Sequence, residues 1–274
     1  MVTNAEQERR SKPNIITRPR VYIVGRQGVD RAGIERFLSD YGMAWETDTE
    51  VGGEQLVEAG GRLCYLSYGK GRKTNAEYIG NILEQKHGSV LEHAVWNFII
   101  AGVSRSFTHE LIRHRAGWGY SQLSQRYVDE SEANYVEPDI IARDPEMHDF
   151  WLGTIETAHT AYLELTERLT QKLKGLESAT SHMGGTHRRK LARQAARSVL
   201  PNATETMIFV TANARALRHF IELRGSEFAE PEIREVALEF LRLMQGEAPN
   251  LFGDYKIVRL EDGTEVAQTD NEKV

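Results

Sequence analysis

The sequence has little cysteine, no long apolar run and no surplus of basic charge. Cys64 is the one cysteine among 274 residues, which excludes an intrachain disulfide framework and fits a reducing compartment, so a cytoplasmic location is expected. It stands between Leu63 and Tyr65 in an apolar run, where a buried small side chain is expected. No stretch is long and apolar enough to span a bilayer, and the opening residues, Met1 to Lys12, lack the apolar centre of an export signal. No membrane partner is therefore expected. A net charge of −6 argues against tracking of nucleic acid, so any anion site must be local. Neither Gly-x-Gly-x-x-Gly nor a P-loop is present, so neither standard nucleotide fold is supported. His87 pairs in sequence only with His93, and His182 only with His187. Neither pair has further ligands at metal spacing, and no metal site is expected.

What is present is ordinary globular composition, 40% hydrophobic and 27% charged, consistent with one domain. Residues 1–18 show little periodicity and read as a disordered or extended tail, 19–250 as a single catalytic domain, and 251–274 as an acidic C-terminal tail. Glu261-Asp262-Gly263 is a plausible turn of a marginal hairpin in that tail. Val21 to Gly25 reads as a short buried strand and Val95 to Ala101 as another. Helical spacing recurs at about 30–40, 54–66 and 75–86, the last opening on Thr74-Asn75. Ser104 can cap a helix through Phe107 and Leu111 to about Arg113. Asp149 to Lys174 forms a long helix, and Gly184-Gly185 separates it from one at about 187–198. Thr204 to Ala212 is a strand or a buried helix. Asn213 to Leu223 and Pro231 to Met244 are helical. The sum is a mixed α/β chain dominated by helices.

The densest segment is Arg113-His114-Arg115-Ala116-Gly117-Trp118-Gly119-Tyr120-Ser121-Gln122-Leu123-Ser124-Gln125-Arg126-Tyr127. Arginine offers a planar fork for phosphate oxygens, Gly117 and Gly119 let backbone approach a ligand, and Trp118 or Tyr120 could cover a flat ring. A phosphorylated aromatic ligand would use all of these. A surface loop with solvated arginines and a packed tryptophan accounts equally well for the composition.

Arg-His-Arg, a loop, and then Ser-Gln-Leu-Ser-Gln-Arg-Tyr resembles the signature of flavin-dependent thymidylate synthases. The family pattern has about seven residues before the Ser-x-Arg, whereas Ala116 to Leu123 makes eight, one residue inserted. The counterparts of Trp118 and Gly119 are therefore not assigned. Three further stretches resemble the family in order and approximate spacing: Lys86 to His93, Ala196 to Pro201, and Asn213 to Arg224. Ala229 to Arg234 completes the set, and the resemblance covers about 58–248. At Phe228, where some members have histidine, no role is carried over.

The resemblance implies a helix-rich α/β fold with a central, mostly antiparallel sheet and a homotetramer whose active sites are shared between subunits. It implies flavin-dependent C5-methylation of a uracil nucleotide, dUMP to dTMP, with methylenetetrahydrofolate as carbon donor and NADPH, through FAD, as reductant. Glu110, Arg113, Gln122, Ser124, Arg126, Arg197 and Arg224 are implied around the nucleotide. Arg224 is the implied catalytic group, a fixed cation that polarises the pyrimidine as C5 becomes nucleophilic. Ser89, His114, Arg115, Gln125, Asn213, Arg215 and His219 are implied around FAD, with His87 and Tyr120 near the folate and nicotinamide face. No enzyme nucleophile is required: Cys64 has no obvious activating base, and Ser124, among cations, suits a hydrogen-bonding role.

Two alternatives stand beside this. A UMP methylase of specialised nucleoside natural-product metabolism would need only one or two changed contacts at the 2′-hydroxyl. A nucleic-acid-binding module is motivated by His187-Arg188-Arg189-Lys190 with Arg193 and Arg197, and opposed by the acidic total.

Overall fold

The computed structural model describes residues 13–175 and 184–274. Most of the expected N-terminal tail, and His182, lie outside the described residues. Two compact units interleave in sequence. The first takes the residues up to Pro19, Ala101–His109 and Gln122–Ile208, and the second takes Arg20–Ile100, Glu110–Ser121 and Phe209–Val274.

In the first unit, strand β1 (Asn14–Ile16) pairs in parallel with β5 (Asn134–Val136). The end of the expected tail is thus a strand: Ile15 packs against a core of Ala133, Tyr135 and Ile155, apolar burial that periodicity over three residues is too short to reveal. The Tyr135 hydroxyl lies 2.9 Å from His159 Nδ1 inside that core. Helices α5 (Asp139–Ala142), α6 (Pro145–Gly175) and α7 (Gly185–Ala196) belong to the same unit.

A four-stranded sheet has the order β2-β3-β6-β4, formed by β2 (Arg20–Arg26), β3 (Val95–Ser104), β6 (Glu205–Asn213) and β4 (Trp118–Gln122). β6 resolves the ambiguity of Thr204 to Ala212 in favour of strand, with burial alternating residue by residue as on a pleat with one covered face. β2 is an edge strand and only Val21 is buried. Tyr22 and Val24 remain 46% and 47% exposed, so the buried strand expected there is half open.

Around the second unit's core lie helices α1 (Arg31–Asp40), α2 (Gly52–Cys64), α3 (Asn75–Glu84), α8 (Ala214–Arg224) and α9 (Pro231–Glu247). Trp96, Phe98, Phe220, Phe240 and Phe252 are fully buried there, and Phe98 meets Phe240 edge-on with centroids 4.9 Å apart. Local chemistry sets the helix starts. Thr74 accepts the Glu77 N–H at 3.2 Å, and Pro231 opens α9 behind Glu230, whose carboxylate takes the N–H groups of Glu232 and Ile233. Helix α4 (Arg105–Leu111) starts where Ser104 Oγ accepts the Phe107 N–H at 3.0 Å, but it ends two residues before the expected Arg113.

The C-terminal segment is more ordered than an acidic tail. β7 (Lys256–Arg259) and β8 (Glu265–Gln268) form an antiparallel hairpin whose turn contains Gly263 at φ 86°. Tyr255 and Val266 are buried beside it. Cys64 is exposed at the end of α2, contrary to the buried position expected. The apolar run around it, Leu63, Tyr65 and Leu66, is exposed as well, so hydrophobicity without a matching helical stripe misled.

Candidate functional site

The Arg113 to Tyr127 segment is not a single loop, because β4 runs through its middle. Alternation puts Trp118 and Tyr120 on one face of that strand, with rings stacked at 5.9 Å and an interplanar angle of 7°. Gly117, just before it, has φ +73°, a left-handed conformation that favours glycine. A Cβ there would stand 2.7 Å from Asn213 Nδ2 and 2.8 Å from the Ala216 Cβ. The glycine thus lets the segment press against the start of α8, where its carbonyl accepts the Asn213 N–H at 3.1 Å.

Helix α8 carries four of the expected residues within the second unit. Asn213 caps it, its amide oxygen accepting the Ala216 N–H at 2.8 Å, which leaves the amide nitrogen as a donor toward a ligand. Arg215 is exposed and pairs with Glu92 at 2.6 Å. His219 is exposed, its ring centroid 6.1 Å from that of His114. At the C-terminal end, Arg224 donates from Nε to His114 Nε2 at 3.1 Å and from Nη1 to Glu110 at 2.9 Å. Among the described residues nothing engages its Nη2, and the side chain is 21% exposed. The structure therefore brings Arg224 to Glu110 and His114, which lie more than a hundred residues earlier in the chain.

His114 is buried at 8% exposure. Burial, then the charge of Arg224, then His219, pushes its imidazole down to about 4, and the ring is neutral at physiological pH. The unfolded imidazole takes up its proton near pH 6.5. Between that pH and 4 the unfolded chain binds more protons, so stability is fully present above 6.5 and falls as the pH drops toward 4. Acidification from pH 7 to pH 5 is expected to remove about 2 kcal/mol through this group. Thermal melts at the two pH values check this, with His114→Gln expected to lose less stability than the parent.

Tyr120 was expected near the folate and nicotinamide face. Its hydroxyl lies 2.5 Å from the His114 carbonyl and 3.0 Å from that of Leu111, and burial raises its pKa. The hydroxyl is thus occupied by backbone. His87 is exposed, stacked on Tyr65 at 6.3 Å, and Ser89 is exposed on the short 3-10 turn Gly88–His93. A Cβ at Gly88 would stand 3.1 Å from Arg215 Nε, so its absence admits the guanidinium beside Ser89. Arg113 and Arg115 are exposed.

The first unit holds the remaining expected residues. Gln122 Nε2 reaches the hydroxyls of Thr108 at 3.1 Å and Thr206 at 3.3 Å, two partners that sequence reading missed because they lie on separate elements. Ser124 Oγ accepts the Arg126 N–H at 3.4 Å. Arg126 lies over the Tyr127 ring, 5.4 Å from its centroid. Gln125 is buried, and its Nε2 has no partner among the described residues, an orphaned donor that a ligand acceptor would satisfy. Arg197 is half-buried, and its charge acts on the neighbouring Arg105, whose pKa burial lowers. The residues His187 to Lys190 lie on α7, where Lys190 is bonded to the Tyr127 hydroxyl at 2.8 Å, and Arg193 pairs with Asp129.

A flavin pyrophosphate would need cations and N–H donors, and in the second unit Arg115, Arg215 and the Asn213 amide are groups of that kind. Among the described residues no group of three or more metal-ligating side chains occurs, and no helix is long and apolar enough to cross a membrane.

Comparison with known proteins places the chain in a family. The family model described as thymidylate synthase complementing protein matches residues 47–250. A flavin-dependent thymidylate synthase of Mycobacterium sp. (strain JLS) is 52% identical over 228 residues, 82% of this chain and 88% of that protein. One from Mycobacterium avium (strain 104) is 50% identical over 234 residues, 84% of this chain and 90% of that protein. Among solved structures, a UMP/dUMP methylase from Streptomyces cacaoi bound with 5-Br UMP matches with a TM-score of 0.59 at 20% identity, covering 88% of this chain and 95% of that one. The same methylase bound with 5-Br dUMP matches equally. The expected helix-rich α/β class with a mostly antiparallel central sheet is the fold observed.

Proposed function

The chain belongs to the flavin-dependent thymidylate synthase family, and from that premise we propose that it methylates C5 of dUMP to give dTMP, with methylenetetrahydrofolate as carbon donor and NADPH as reductant of bound FAD. The observation that carries the reading is Arg224, a guanidinium pinned on two nitrogens whose third has no partner among the described residues. C5 of uracil becomes nucleophilic only as negative charge spreads through the ring onto N3 and the carbonyl oxygens. A cation fixed in advance stabilises that charge without reorganising. Cys64, exposed at the end of α2, takes no part in this chemistry.

Around the nucleotide, Arg113, Arg126 and Arg197 serve the phosphate, Gln122 and Ser124 the polar edge of the substrate, and Glu110 accepts from both Arg224 and the nucleotide. Ser89, Arg115, Gln125, Asn213, Arg215 and His219 hold the flavin, with His87 and the ring of Tyr120 on the folate and nicotinamide side. When bound, FAD supplies the reducing equivalents that bring the transferred carbon to the methyl level. The reading includes a cytoplasmic homotetramer whose sites draw residues from more than one subunit, which accounts for binding groups scattered over four stretches of sequence.

An absorption spectrum of the purified protein tests the reading, followed by anaerobic addition of NADPH with dUMP or UMP. Flavin bands that bleach faster with dUMP support it. Faster bleaching with UMP alone moves the substrate to the ribonucleotide. A protein without flavin bands that takes up no added FAD contradicts it.

A further inference from the structure

The geometry points to His114 as the positioning residue of Arg224, holding the guanidinium through the ring nitrogen that accepts its Nε–H, and not as a contact to the flavin. This rests on the reading of Arg224 as the cation that faces the nucleotide. Arginine can only donate, so at 3.1 Å the Nε2 of His114 must be the acceptor and the ring proton must sit on Nδ1. A protonated imidazole would lose that acceptor, and its depressed pKa of about 4 keeps the lone pair available through the physiological range. The charge of Arg224 and then that of His219 act on this imidazole, Glu110 pairs with the same guanidinium, and the Tyr120 hydroxyl lies on the His114 carbonyl.

The ring itself is enclosed. Phe220 lies edge-on at 5.1 Å, Trp118 at 6.3 Å and His219 at 6.1 Å, and 8% of the residue remains exposed. With Nε2 engaged and its faces packed, little of the imidazole is left to meet a cofactor. Its backbone is fixed as well: the N–H donates to Leu111 O at 3.0 Å and the carbonyl lies within reach of the Tyr120 hydroxyl. Trp118, in the segment with the inserted residue, thereby acquires a role as one wall of the His114 socket. Glu110 on Nη1 and His114 on Nε together fix both the position and the plane of the guanidinium before substrate arrives.

A double-mutant cycle on the FAD-loaded enzyme tests this, with bound flavin read by absorbance and kcat/KM for dUMP by NADPH oxidation. H114L is expected to lower kcat/KM by about 50-fold at unchanged flavin content. H114Q, whose amide oxygen reaches the place of Nε2, should recover to within about five-fold of the parent. In the R224Q background H114L should cost almost nothing further, because the group it positions is gone. Loss of flavin from H114L, with kcat/KM per bound flavin equal to the parent's, would overturn the inference in favour of a flavin ligand. A penalty in H114L that adds in full to that of R224Q would overturn it too. If H114L does not fold, H114N against H114Q makes the same test: the shorter amide cannot reach Arg224, and equal behaviour of the two defeats the proposal. The reading of Arg224 fails separately, on R224Q alone, if that variant keeps the parent's nucleotide kinetics.

Discussion

Replacing Arg224 with glutamine is expected to lower kcat/KM for dUMP by about a thousand-fold, close to 4 kcal/mol of transition-state stabilisation. The size follows from what the side chain does. Its charge is clamped by His114 and Glu110, while its remaining nitrogen has no partner among the described residues. An interaction that strengthens as the ring gains negative charge acts on the transition state more than on binding, so kcat should fall with kcat/KM. Arg224→Lys keeps the charge but cannot make both anchoring bonds and still present a planar edge, and should recover little. Flavin content should be unaffected in both variants. Steady-state kinetics on the FAD-loaded proteins check this, and a loss confined to KM would mean that Arg224 only binds.

The second large effect concerns stability. Arg218 is 1% exposed on the same helix, and forks onto Asp254 at 2.6 and 2.8 Å while donating to the Leu251 carbonyl at 2.7 Å. Thr269 and Asn271 also donate to Asp254, at 2.6 and 3.0 Å. Burial alone would raise the Asp254 carboxyl, but the guanidinium and these hydrogen bonds outweigh it and hold the pKa below the usual carboxylate range. Arg218→Met removes the cation and leaves a largely buried carboxylate uncompensated, a change that costs roughly 3–5 kcal/mol. For a unit of this size the melting temperature should fall by about 10 °C. The double variant with Asp254→Leu should recover part of the loss, since removing both partners leaves no orphaned charge. Calorimetry of the three proteins decides it, and an unchanged melting temperature in Arg218→Met would show that the pair does not hold the C-terminal segment to α8.

The two arginines show what could and could not be read from the chain. Both sit in Asn213 to Arg224, whose helical spacing and asparagine cap are visible in the sequence and reproduced in α8. Arg224 was marked as functional by the motif around it. Arg218 was not, because its partner lies 36 residues on, in a stretch whose acidity reads as a solvated tail. Elements with strong local signals, such as the Ser104 cap and the Pro231 start, were legible because the chemistry that sets them lies within four residues. β4 was hidden by Gly119, by Gly117 just before it and by its mixed polarity, and its strand state depends on pairing beside β6, which no local pattern announces. The same holds at the site. Residue types suited to an anion were plain in Arg113 to Arg126, whereas the neutral, buried state of His114 depends on Phe220 and Arg224, about a hundred residues further along.

The most direct test of the account is the mass of the nucleotide recovered after the FAD-loaded protein is incubated with dUMP, methylenetetrahydrofolate and NADPH. dTMP, heavier by one methyl in place of hydrogen, is expected only when all three are present, and is expected to be lost in R224Q. Unchanged dUMP from a flavin-loaded, folded protein whose flavin NADPH reduces would contradict it.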